Sequence, residues 1–249
     1  MAWEDKTANY ERVEQLLAST TIEPGSLIIL PEMFETGFSM NVEAVVPSDQ
    51  REGEAFLRSL ASRHQSAVLG GVLAPIENGK SKNEAVAFGP DGTELVRYQK
   101  MQPFSYSGEH EHYPAGNKHA IFEWQGIRIS PFVCYDLRFP ELFRPAVSDG
   151  AELLAVIACW PKTRSEHWVR LLQARAIENL AITVGVNRCG TEPGLEFDGR
   201  SAAFDHLGRE LFEASADEQV IATEVDIQAV REWRNTFPAL NDMRLQVGV

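Results

Sequence analysis

The amino-acid sequence predicts an α/β fold of mixed sheets, each covered on one side by helices. Three observations predict it. Apolar runs too short for helices alternate with segments of helical periodicity almost from end to end. Pairs of these runs flank tight turns, as in hairpins. Elsewhere strand, helix and strand follow one another, as parallel pairing requires. Two such sheets packed face to face would give a four-layer α-β-β-α sandwich, although periodicity alone is also satisfied by a doubly wound three-layer fold.

Tyr10, Val13, Leu16 and Leu17 recur at helical spacing and predict an amphipathic helix near residues 5–19. Ser-Leu-Ile-Ile-Leu at 26–30, stopped by Pro31, reads as a buried strand. Phe56, Leu57, Leu60 and Ala61 mark a second helix, and a strand follows at 67–73. The runs at 84–88 and 93–100 flank Gly89-Pro-Asp-Gly92 and predict a hairpin. Strands at 120–124 and 127–133 are split by Gln125-Gly126. A helix from Pro140, a strand at 153–159, a long helix at 165–180 and a strand at 182–187 come next. The segments 202–205 and 210–212 flank His206-Leu-Gly-Arg209 as another hairpin. A last strand is expected at 219–225, and a short helix before Pro238. Between Gly108 and Gly116 the glycines and Pro114 predict an irregular loop.

With 249 residues, 44% of them hydrophobic, the chain has the apolar material for a large core, and a single domain over 1–249 is expected. Lys+Arg of 23 against Asp+Glu of 36 leaves a net charge of −13, which repels nucleic acid and anionic membranes. The longest apolar run covers 153–160, far short of the roughly 20 residues that span a bilayer. No basic segment followed by an apolar stretch opens the sequence, so a cytoplasmic location is expected. Three cysteines without a C-x-x-C pair argue against a disulfide framework or a structural zinc site. His110, His112 and His119 lack a further ligand at metal-binding spacing, so no metal is expected there.

Chemistry is expected where ionisable groups follow apolar strands. Glu32 follows the run ending at Leu30, where a carboxylate is costly unless it is paired or working; a solvated loop acid is the plainer alternative. Lys100 ends a hairpin strand, a position usually occupied by a solvent-facing charge or an edge gatekeeper. Cys134 lies on a strand-to-helix turn, where a nucleophile projects beside free backbone N–H groups, or else simply packs as a small apolar residue. Cys159 and Cys189 lack so sharp a turn, and packing is the better reading of both.

Together these segments resemble the nitrilase superfamily of carbon–nitrogen hydrolases. The likeness runs from Trp3 to about Leu245. It rests on Leu-Pro-Glu-Met-Phe at 30–34, Tyr-Gln-Lys at 98–100 and Val-Cys-Tyr-Asp-Leu-Arg-Phe-Pro-Glu at 133–141. Ala174-Arg-Ala-Ile-Glu-Asn179 and Gly185-Val-Asn-Arg188 add to it. Within the superfamily the sequence is most similar to omega-amidases, through Glu32-Met-Phe-Glu-Thr-Gly-Phe-Ser-Met40, the segment 108–117, and Trp160-Pro161 followed by Arg164 and His167-Trp168. The resemblance implies the four-layer sandwich, a homodimer, no cofactor, and hydrolysis of the side-chain amide of 2-oxoglutaramate or 2-oxosuccinamate. It assigns Glu32 as general base, Cys134 as nucleophile, and Lys100 with the Tyr135 backbone N–H as oxyanion donors. Glu109 matches the second glutamate, which orients Lys100 and water. A carboxylate-bearing substrate would need a local cation, and Arg138 and Arg164 are the candidates, with Trp160, where a strand ends beside the pocket, as the partner of Arg164 in substrate binding. Arg138 has the alternative of an ion pair with Asp136 or Glu141. A related amidase, a carbamoylase or a non-catalytic binding relative are the rival readings.

The sequence departs from the family pattern in three places. Gln102-Pro103-Phe104 replaces the usual His-Leu-Phe after the lysine, and Cys159 replaces a polar residue before Trp160. An apolar strand normally precedes the Trp3 segment, and without it a sheet edge would be uncovered.

Overall fold

The computed structural model describes residues 1–46 and 50–244; Leu245, where the family likeness ends, lies outside the described residues. The chain begins with α1 (Lys6–Ala18), capped by the Asp5 carboxylate, which accepts from Ala8 N–H at 3.0 Å. Then come β1 (Leu27–Ile29), the short α2 (Val42–Val45), α3 (Glu52–His64), β2 (Ala67–Leu73), β3 (Asn83–Phe88) and β4 (Glu94–Gln99). A 3-10 turn (Ser105–Ser107) leads into α4 (Glu109–His112), so the expected irregular loop carries one short helix. β5 (Phe122–Trp124) and β6 (Ile127–Val133) form a hairpin. A 3-10 turn (Cys134–Arg138) follows, then α5 (Pro140–Ser148), β7 (Leu153–Ala158), α6 (Ser165–Asn179) and β8 (Ile182–Asn187). The chain continues through β9 (Cys189–Glu192), β10 (Leu195–Asp198), β11 (Ala202–Phe204), β12 (Glu210–Glu213) and α7 (Ile227–Thr236).

The first sheet has the order β1-β2-β3-β4, with β1 and β2 parallel and the remaining pairs antiparallel. The second has the order β12-β11-β8-β7-β6-β5, with a parallel centre of β6, β7 and β8. Alternation along the strands decides which face goes where. Val68, Val72, Val86 and Phe88 pack outward against Leu17 of α1 and Leu57, Leu60 and Ala61 of α3. Leu69, Ala85, Ala87, Val96 and Tyr98 point the other way, into one core shared with Ile129, Phe132 and Leu154 of the second sheet. Phe143, Ala146 and Val147 of α5 and Trp168, Leu172 and Ala176 of α6 complete that core. The result is the four-layer α-β-β-α sandwich.

One expected strand is absent, and one hairpin was not expected. Residues 219–225 form no strand; the segment is largely exposed, although Val220 touches the core beside β1. Its apolar content marked a face that meets the protein, but a strand also needs a neighbour for its N–H and C=O groups. Residues 189–198 form the β9–β10 hairpin, which polar composition concealed.

Candidate active site

Glu32, Lys100, Cys134 and Glu109 meet in one buried cluster. Each arrives from the end of a strand or from the helix beside it. After β1 the chain turns at Pro31, whose carbonyl accepts from Gly71 N–H at 3.1 Å. A Cβ on Gly71 would lie 2.5 Å from Glu32 Cα, so only glycine lets this turn rest on β2. Lys100 follows β4, and its carbonyl accepts from Gly116 N–H at 2.8 Å. A Cβ on Gly116 would lie 2.3 Å from Gln99 O, so the segment following α4 can pair there only through glycine.

Lys100 is 1% exposed and its Nζ donates to Glu32 Oε1 at 2.8 Å and to both Glu109 oxygens at 3.0 and 2.9 Å. Burial alone would lower the pKa of this ammonium, but Glu109 and then Glu32 outweigh it and hold it well above the usual lysine range. The solvent-facing alternative for Lys100 is thus corrected by its burial. Glu32 Oε2 accepts from Cys159 N–H at 2.8 Å, and Glu109 Oε2 from Phe104 N–H at 2.5 Å. The two departures at 102–104 and at Cys159 therefore serve through backbone donors. Gln102 N–H likewise donates to Asp136 Oδ1 at 2.8 Å.

Cys134 opens its 3-10 turn at φ +46, a left-handed conformation uncommon for a residue with a Cβ, and such strain gathers at functional sites. The N–H groups of a helical first turn have no acceptor within the helix, and that of Tyr135 belongs to this class. Burial, then the Glu32 charge, pushes the Cys134 thiol well above its usual range, against the pull of Lys100. The resting group is therefore a protonated thiol beside a carboxylate. Cys159 is also buried, its thiol donating to Glu32 O at 3.2 Å.

Two residues that the sequence did not single out organise this cluster. Asn83 Nδ2 donates to Glu32 Oε1 at 2.7 Å and to Glu109 Oε1 at 2.9 Å. Asp136, fully buried, accepts from Tyr98 OH at 2.7 Å, Val133 N–H at 2.9 Å and Gln102 N–H. Burial raises its pKa to about 6 against those donors. The only hint of Asn83 was its place just ahead of the apolar run at 84–88, and its partners arrive from distant segments.

At the mouth, Arg138 lies over the Trp160 ring, with its guanidinium carbon 4.8 Å from the centroid, and Nη2 is 3.1 Å from His167 Nδ1. Arg164 lies over the Phe104 ring at 5.3 Å, and its carbonyl accepts from Trp160 Nε1 at 2.8 Å. Trp160 itself is 2% exposed, a platform beneath Arg138 that also holds the Arg164 backbone carbonyl. Among the described residues neither arginine pairs with a carboxylate. The expected alternative for Arg138, an ion pair with Asp136 or Glu141, does not form because the Asp136 oxygens are taken from within. Burial, then the Arg164 charge, lowers the Arg138 pKa from its usual value. His119 Nε2 lies 2.8 Å from Asp149 Oδ2, and His110 and His112 lie on α4.

Residues 1–235 match the family model for carbon-nitrogen hydrolase. An omega-amidase of Yersinia enterocolitica, YafV, is 38% identical over 97% of this chain and 93% of its own. A 2-oxoglutaramate amidase of Bacillus subtilis is 33% identical over 88% of this chain and 85% of its own. The crystal structure of a CN-hydrolase superfamily protein from Xanthomonas campestris, with an arsenic adduct in its active site, superposes with a TM-score of 0.90 at 36% identity. That match covers 100% of this chain and 96% of that one.

Proposed function

This chain belongs to the carbon-nitrogen hydrolase family, and we propose that it is an omega-amidase that releases ammonia from the side-chain amide of a small 2-oxo acid, 2-oxoglutaramate or 2-oxosuccinamate. Glu32 takes the proton of the Cys134 thiol as sulfur attacks the amide carbon. The tetrahedral oxyanion is held by the Lys100 ammonium and the Tyr135 N–H. Glu32 returns the proton to nitrogen, the C–N bond breaks, and ammonia leaves a thioester on Cys134. Water then attacks the thioester carbon, losing its proton to Glu32, and the C–S bond breaks to give the diacid and the thiol. Glu109 orients Lys100 and that water.

The observation that carries the substrate class is the pair Arg138 and Arg164: the charge of Arg164 helps to lower the Arg138 pKa, and neither has a carboxylate partner among the described residues. A guanidinium holds a carboxylate through two parallel hydrogen bonds, which lysine cannot reproduce. The buried Trp160 acts through these two cations. A homodimer in the cytoplasm is part of this reading; sedimentation of the purified protein tests the dimer.

Ammonia release across 2-oxoglutaramate, glutamine, asparagine and a simple nitrile tests the reaction. The keto acid amide is expected to be preferred, with turnover abolished in Cys134→Ser. Arg164→Lys is expected to raise KM for 2-oxoglutaramate and to leave an uncharged amide nearly unaffected. Equal effects on both substrates would remove Arg164 as the carboxylate clamp.

A further inference from the structure

We propose that Asn83 is a positioning residue of this site: its carboxamide bridges Glu32 and Glu109 and keeps both in place when Lys100 turns toward the substrate. Asn83 is 1% exposed and opens β3, at the level where Lys100 leaves β4. Lys100 has three N–H donors, and three carboxylate contacts, one to Glu32 and two to Glu109, occupy them. An ammonium that serves the developing oxyanion must release one of these contacts. Asn83 commits both Nδ2 hydrogens to the same two carboxylates, at 2.7 and 2.9 Å, so their separation survives that release. Its Oδ1 is buried without a hydrogen-bond partner among the described residues. The reverse orientation would set Oδ1 against two carboxylates, so the carboxylates dictate how the amide lies, at the expense of its own acceptor.

Other charged and titratable groups surround the bridge. Cys134 and Asp136 approach from beyond β6, Cys159 from beyond β7, and the Arg188–Glu192 ion pair from β8–β9. Tyr113, beyond α4, donates to Ser39 O at 2.6 Å, and burial followed by the Glu109 and Glu32 charges raises its pKa. None of these groups reproduces a neutral donor shared between both glutamates. A hydrogen bond to the ionised form favours that form, so its loss makes protonation easier.

The role of Lys100 rests on the amidase reading, but the bridge can be tested without turnover. In protein labelled with carbon-13 at the glutamate side-chain carboxyl, Glu32 and Glu109 are assigned by Glu32→Gln and Glu109→Gln and titrated by NMR. In Asn83→Leu both signals should begin to protonate about one to two pH units higher than in the unaltered protein. With 2-oxoglutaramate the same variant should lose about 100-fold in kcat while KM stays within a few-fold. Should Asn83→Leu fail to fold, Asn83→Ala, which removes both N–H donors without adding a charge, carries the same expectation. Unmoved glutamate titrations, or a kcat loss no larger than the change in KM, overturns the proposal. Absence of ammonia release from every amide by the unaltered protein would overturn the amidase reading, and the titration would still decide on Asn83.

Discussion

Cys134 combines two properties that rarely coincide, a left-handed backbone and a buried thiol whose proton is hard to remove. Exposure alone would make Cys189, the half-exposed cysteine, the first to react with iodoacetamide. If Glu32 activates its neighbour, Cys134 is labelled first, and Glu32→Gln reverses the order; peptide mapping after partial labelling distinguishes the two. Lys100→Met should lower kcat by about 100- to 1,000-fold, as expected when one oxyanion donor is lost. A fall of only a few-fold would show that the ammonium balances charge and nothing more. Asp136 carries a different prediction. Its pKa rises on folding from the usual 3.8 to about 6. The folded state therefore favours the protonated acid, and the associated stability, complete below the unfolded pKa, is lost as pH rises through about 6. Between pH 5 and 7.5 the unaltered protein should lose about 1 kcal/mol relative to Asp136→Asn, read from urea midpoints. A pH-independent difference would mean that the three donors keep Asp136 ionised throughout.

The elements divide into those whose residues announce both a face and a partner and those that announce only a face. The β3–β4 hairpin declares itself in Gly89-Pro-Asp-Gly92, because a tight turn fixes which strands meet. Residues 219–225 have the composition of a strand and touch the core at Val220, yet pair with no strand among the described residues. The β9–β10 hairpin pairs fully and is too polar and exposed to show a pattern. Where two elements touch through a glycine, the geometry is testable. Gly71→Ala would set its Cβ 2.5 Å from Glu32 Cα, against backbone that cannot step aside. The expected result is a loss of about 1–3 kcal/mol in stability together with displacement of Glu32 and a collapse in kcat. Normal activity with lowered stability would show that the Glu32 turn does not depend on this contact.

Across the whole molecule, a net charge of −13 repels the proposed dianionic product as well as its substrate. The Arg138–Arg164 pair is a local exception at the rim, half exposed and therefore open to screening by salt. KM for 2-oxoglutaramate should rise severalfold between 0.05 and 0.5 M salt, while KM for an uncharged amide stays level; parallel behaviour would mean that the pair does not meet the substrate.

Alternating apolar positions and turn residues by themselves determined the strands, helices and hairpins, because burial of a strand face is a local property of composition and period; the choice of a two-sheet sandwich over a doubly wound fold came with the family resemblance. Three motifs in chain order determined the family and pointed to Glu32, Lys100 and Cys134. Only the tertiary structure decided that these groups share one buried cluster, that Asn83 joins Glu32 to Glu109, that Asp136 anchors the Cys134 turn, and that among the described residues Arg138 and Arg164 stand without carboxylates. The reason is physical. Charge pairing and hydrogen bonding depend on distances of about 3 Å, and here they join Glu32 to Asn83 and Cys159, residues that sequence separates by 51 and 127 positions.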